Sequence, residues 1–151
     1  MKNNFDKALQ FTLIWEGECS NDSLDPGGLT VYGISARYHP QQVKKMYDLY
    51  INGEKEAAKD LAEAIYKQNY WDACDCDNLP NKVDIAIFDT AVNLGINKAK
   101  EFLNLSKSID DILFNRIAYY CEKVKENPMK IKFLRGWINR VIALRKLIKE
   151  R

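Results

Sequence analysis

Three residues early in the chain have the types and spacing of a hydrolytic site. Glu16 closes an apolar stretch, Asp25 follows nine positions later in an Asp-Pro-Gly-Gly turn, and Thr30 comes five positions after Asp25. On a helix of 3.6 residues per turn, Glu16 lies seven residues beyond Leu9 and eleven beyond Phe5, so it shares their apolar face. A carboxyl group among apolar neighbours keeps its proton more readily, and the negative end of a helix dipole acts in the same sense. A carboxylate and a hydroxyl across a cleft can hold a water, and paired glycines let backbone approach a ligand closely. One protonated carboxyl and one carboxylate flanking a bond are what glycosidic cleavage requires. Each residue also has a plainer role open to it: Glu16 as a surface acid beyond the helix end, Asp25 as the initiator of a turn.

Such residues need a frame, and helical periodicity supplies it. Phe5, Leu9, Thr12, Leu13 and Glu16 recur at three- and four-residue steps and predict a first amphipathic helix. Pro40 opens a second, with Val43, Met46, Tyr47 and Tyr50 on one side and Gly53 as its stop. The segment 54–71 is rich in strong helix formers, with Ala57, Leu61, Ala64 and Ile65 expected inward. Further helices are expected over 82–94, ended by Gly95, around 98–103, from Ser108 to about Glu126, and over 130–149 after Pro128. The last should bury Phe133, Trp137, Val141, Leu144 and Ile148. Only DPGGLTVYGIS, residues 25–35, reads as β structure, with turn residues followed by β-branched and aromatic types. The expected fold is mainly α, with one small β-hairpin after the first helix.

Composition sets the outer bounds. A chain of 151 residues, 46% hydrophobic and 29% charged, can build a real core and has no run long enough to span a bilayer. The N-terminal apolar stretch is broken by Asp6 and Gln10 with no small-residue cleavage site after it, so no signal peptide is read there and a cytoplasmic location is expected. Cys19, Cys74, Cys76, Cys121 and the lone His39 fit no zinc spacing; no metal or cofactor is expected. The C-terminal segment is basic, with Lys130, Lys132, Arg135, Arg140, Arg145, Lys146 and Lys149. It is either a solvated helix face or a surface for a polyanion, but it lacks a nucleic-acid recognition motif.

The run EGECSNDSLDPGGLTVYGIS resembles the signature of glycoside hydrolase family 108, the N-acetylmuramidases of phage and prophage endolysins. Three further blocks match in order: AIYKQNYWD at 64–72, FDTAVNLG at 88–95 and FLRGWINRV at 133–141. The resemblance implies a lysozyme-like helical fold, a muramidase region over 1–92 and a helical peptidoglycan-binding module over 93–151, packed as one compact unit. It makes Glu16 the catalytic glutamate, and the spacing of Glu16, Asp25 and Thr30 is similar to the Glu/Asp/Thr triad of phage-type lysozymes. It includes Asn93, which could reach a sugar hydroxyl or acetamido group. Tyr32, Tyr70 and Trp71 offer aromatic faces on which sugars stack, and Asp89 is expected to pair with a basic residue. The implied reaction is cleavage of the β-1,4 bond between N-acetylmuramic acid and N-acetylglucosamine. The expected partner is the peptidoglycan glycan strand, met by a monomer that inserts in no membrane and stays cytoplasmic until released to the wall. A lytic transglycosylase, or a non-catalytic wall-binding or phage structural protein, is the alternative. The sequence departs from the family pattern at Glu18 and Cys19, where a second glycine and an aromatic are usual.

Overall fold

Helix α1 (Lys2–Glu16) buries Phe5, Ala8, Leu9, Phe11 and Thr12, the apolar face its periodicity predicts. It belongs to a computed structural model that describes residues 2–21 and 28–150; Asp25, with its turn neighbours Pro26 and Gly27, lies outside the described residues. The helix reaches Glu16 and stops at Gly17, whose backbone turns left-handed (φ +79°) while its N–H bonds the Leu13 carbonyl at 3.1 Å. That is a glycine cap, which meets an orphan carbonyl at the helix end.

The β excursion holds one strand more than expected. Strands β1 (Cys19–Asn21), β2 (Leu29–Val31) and β3 (Ile34–Ser35) form one antiparallel sheet in sequence order, with Thr30 opposite Ser20 and Val31 opposite Ile34. All three residues of β1 are exposed, so no alternation of apolar and polar residues marked it. Between β2 and β3 the chain reverses in two residues, Tyr32 (φ +49°) and Gly33 (φ +79°), both left-handed as in the type I′ turns that match strand twist.

The chain forms two compact units, Leu9–Asn69 and the combination of Met1–Ala8 with Tyr70–Arg151. In the first, α2 (Pro40–Ile51) packs on α3 (Lys55–Tyr66). The inward stripe of α3 is Ala58, Ala62 and Tyr66; Ala57, Leu61 and Ile65 are only half-buried and Ala64 is exposed. The expected stripe was displaced because the alanines, alike in hydrophobicity on either face, gave no signal of which one the large Tyr66 ring would complete. Past Tyr66 the helix widens into a π-helical turn, Lys67–Asp72.

In the second unit, α4 (Val83–Leu94) is buried continuously from Val83 to Ala91, as a central helix should be. Helices α5 (Ile96–Leu105), α6 (Ile109–Glu126) and α7 (Ile131–Lys149) pack against it. Phe5, Trp71 and Phe88 form an aromatic cluster with ring centroids 5.3 to 5.8 Å apart. Helix α6 begins as expected, the Ser108 hydroxyl accepting the Asp111 N–H. On α7, Val141, Leu144 and Ile148 are buried as expected, but Phe133 is exposed and Trp137 only half-buried. Arg140 occupies the interior instead. All four cysteines are free, Cys74 and Cys76 buried, Cys19 and Cys121 exposed. No described helix is long and apolar enough to cross a membrane.

Candidate active site

Glu16 is the last residue of α1 and is half-buried, held at the rim of the core rather than inside it. Its position is set by the β2–β3 turn. A Cβ built on Gly33 would come 2.6 Å from Glu16 Cβ, 2.9 Å from its Cγ and 2.5 Å from the Tyr66 hydroxyl, so only a glycine lets the turn close against the glutamate stem. The turn is itself pinned. The buried Tyr66 hydroxyl donates to the Tyr32 carbonyl at 2.8 Å, and the Tyr32 N–H donates to the Glu18 carbonyl. Gly33 and Tyr66 are therefore positioning residues that sequence reasoning did not single out. The available signal was the pair Tyr-Gly between two short apolar runs, a two-residue hairpin pattern.

Glu18, the departure from the family pattern, is exposed and already engaged. Its carboxylate accepts from the Tyr50 hydroxyl at 2.6 Å and the Lys55 ammonium at 3.3 Å. The Tyr50 hydrogen bond, then Lys55, holds its carboxyl below the ordinary value. Its charge is thus matched by Lys55, whose ammonium also sits 4.7 Å over the Tyr50 ring. A cleft of about 500 Å³ opens beside the helix end, walled by Leu13, Ile14, Gly17, Glu18, Tyr32 and Lys59; Glu16 is not among its lining residues. Tyr32 reaches this cleft but is 7% exposed, its hydroxyl on the Lys55 carbonyl, so it presents little of its ring to a ligand. Thr30 is half-buried in β2, its hydroxyl donating to the Ser20 carbonyl at 3.4 Å.

The remaining candidates belong to the other unit. Trp71 is 0% exposed, its indole N–H on Asp77 at 2.9 Å and its ring against Phe5 and Phe88. It is a core residue and presents no face to a sugar, a correction to its expected role. Tyr70, beside it in the π-helical turn, is half-buried. Asn93 sits in the last turn of α4, half-buried, its side-chain oxygen accepting from the Tyr120 hydroxyl. Tyr120 accepts from Arg116 Nε at 2.8 Å, and Arg116 Nη1 bonds Asp89 at 2.8 Å. Arg140 completes the set, Nη2 to Asp89 Oδ1 at 2.7 Å. Burial pushes the Asp89 carboxyl up, but the two guanidinium groups outweigh it and hold it below the ordinary value. Asp89 thus pairs with basic residues, as expected, and with two rather than one. Asn93 also lines a second cleft, of about 320 Å³, with Leu94, Tyr119, Tyr120, Lys123, Lys130 and Trp137.

Residues 9–95 match the family model described as Glycosyl hydrolase 108. Among solved structures, the chain is similar to that of Brucella abortus SagA, at 25% identity and a TM-score of 0.72 over 98% of this chain and 95% of that one. The fold is accordingly mainly α and lysozyme-like. No curated protein matches the sequence.

Proposed function

Because the chain belongs to the glycosyl hydrolase 108 family, we propose that it is a peptidoglycan hydrolase, an N-acetylmuramidase that cuts the β-1,4 bond between N-acetylmuramic acid and N-acetylglucosamine. Glu16 donates a proton to the leaving glycosidic oxygen. Asp25, with Thr30, holds the water or stabilises the oxocarbenium-like transition state. Residues 93–151 act as the wall-binding module, and the enzyme serves as a phage or prophage endolysin, cytoplasmic until released to the wall. The observation that supports this best is the clamp on Glu16: a carboxyl at a helix terminus, inside the family-matched segment, with its stem fixed by Gly33 and the turn behind it. A general acid must be held within hydrogen-bond reach of one oxygen, and a fixed stem serves that need.

Digestion of purified peptidoglycan with mass analysis of the fragments tests it. Fragments with reducing N-acetylmuramic acid ends are expected; 1,6-anhydro ends would mean a lytic transglycosylase, and no release a non-catalytic protein. Glu16→Gln should abolish release while keeping the melting temperature, and full activity in that variant would remove Glu16 from its role. Asp25→Asn conserves shape and removes charge, and a large rate loss is expected.

A further inference from the structure

Most of the charged and amide groups on the cleft at Asn93 are hydrogen-bond donors. Arg116 Nε can only donate, and it donates to Tyr120. The Tyr120 proton must then go elsewhere, and the neighbouring atom is the Asn93 side-chain oxygen. This relay, anchored by the buried Asp89, fixes the Asn93 amide with its oxygen committed and its NH₂ left to the cleft. The other polar groups of the wall include Lys123 and Lys130, and no carboxylate lines it. Lys123 shares its charge with Glu126 at 3.1 Å, whereas Lys130 makes no ion pair with a described residue. Trp137, also on this wall, stacks on Tyr120, centroids 5.0 Å apart and planes at 20°, tilts against Phe133 at 5.8 Å, and remains half-buried. A half-exposed indole beside a cationic wall free of carboxylates suits a ligand that joins a sugar to a carboxylate.

We propose that this cleft is a binding site for the carboxylate-bearing muramyl unit of the glycan, with Lys130 on the carboxylate, the Asn93 amide on an acceptor oxygen and the half-exposed Trp137 indole against the sugar. N-acetylglucosamine has no carboxylate for Lys130 and is expected to bind more weakly. The carboxylate is either the lactyl group of a strand stripped of peptide or the first acid of the stem peptide. The proposal rests on peptidoglycan being the substrate. The two fail separately, because binding is measured here on Glu16→Gln protein with ligands that have no glycosidic bond to cut.

The full-length Glu16→Gln chain is titrated by NMR with N-acetylmuramic acid, N-acetylglucosamine, N-acetylmuramyl-L-alanyl-D-glutamate and the free dipeptide. At least one muramyl ligand should bind about tenfold or more tightly than N-acetylglucosamine and should shift the Trp137 indole resonance, not those of Trp15 and Trp71. Tighter binding of the monosaccharide assigns the lactyl group; tighter binding of the muramyl dipeptide assigns the stem acid. Added to Glu16→Gln, Lys130→Gln should weaken the muramyl ligand about tenfold. Asn93→Asp, which keeps the Tyr120 bond but turns an acceptor to the cleft, should abolish binding in a folded protein. Equal affinity for N-acetylglucosamine, equal affinity for the free dipeptide, an unmoved Trp137, or indifference to both substitutions would overturn the proposal.

Discussion

At Gly33 a turn and a candidate acid meet with no room for a methyl group between them. Gly33→Ala would drive a Cβ into the stem of Glu16 and the Tyr66 hydroxyl while straining a left-handed backbone. We expect it to cost about 2 to 4 kcal/mol in urea unfolding, and to remove most wall-lytic activity by displacing the carboxyl. Gly28→Ala is the control: φ is +64° but no described atom lies within 4 Å, so only the strain, about 1 to 2 kcal/mol, is expected. Glu18 makes a pH prediction. A carboxyl held below its unfolded value adds stability above that value and loses it as pH falls through the folded one. Tyr50→Phe, which removes the leading cause, should therefore destabilise near neutrality, and its difference from the natural protein should vanish in acid. Glu16 was legible because its spacing from Phe5 and Leu9 placed it on a face. Gly33 was not, because the group it makes room for sits across a loop, and no local pattern records a contact of that kind.

Among the elements, α4 is the one whose loss the second unit should tolerate least. Asp89→Asn would leave the guanidinium groups of Arg116 and Arg140 buried without their common anion, and should cost about 3 to 5 kcal/mol by denaturant titration. The natural pair should hold to well below the ordinary aspartate range, since the carboxyl is held down there and its contribution is lost only as pH falls through that lowered value. Helix boundaries were readable because their signals are local: Pro40, Gly53, Gly95, Ser108 and Pro128 act on their own backbone. Buried faces were less so. Phe133 and Trp137 lie in register with Val141 and Leu144 and looked like core, yet the partners of α7 cover only its later turns while Arg140 is drawn inward by Asp89. The strand Cys19–Asn21 exists because β2 offers it a ladder, a fact no exposed tripeptide can announce.

Over the whole molecule a net charge of +2 does not show which cations of the C-terminal segment are free of ion pairs with described residues. Arg140 is spent on Asp89, and Arg145 and Lys149 both face Asp110 at 3.0 and 3.7 Å. Attraction to an anionic wall then falls to Lys130, Lys132, Arg135 and Lys146, acting over about one Debye length, ~8 Å at physiological salt. Replacing Lys132 and Lys146 by glutamine should weaken sedimentation with purified walls at low salt and flatten its salt dependence. Arg145→Gln should change it little. The free cysteines lead to a different use. Cys74 and Cys76 are buried, and burial pushes both thiols up, so a thiol reagent should modify two of the four cysteines in the native protein and all four in denaturant. The two that react, Cys19 on β1 and Cys121 on α6, fall one in each compact unit. The chain thus carries its own attachment points for a donor and an acceptor dye, and energy transfer between them, followed as wall fragments are added, would turn the separation of the two units into a measured distance.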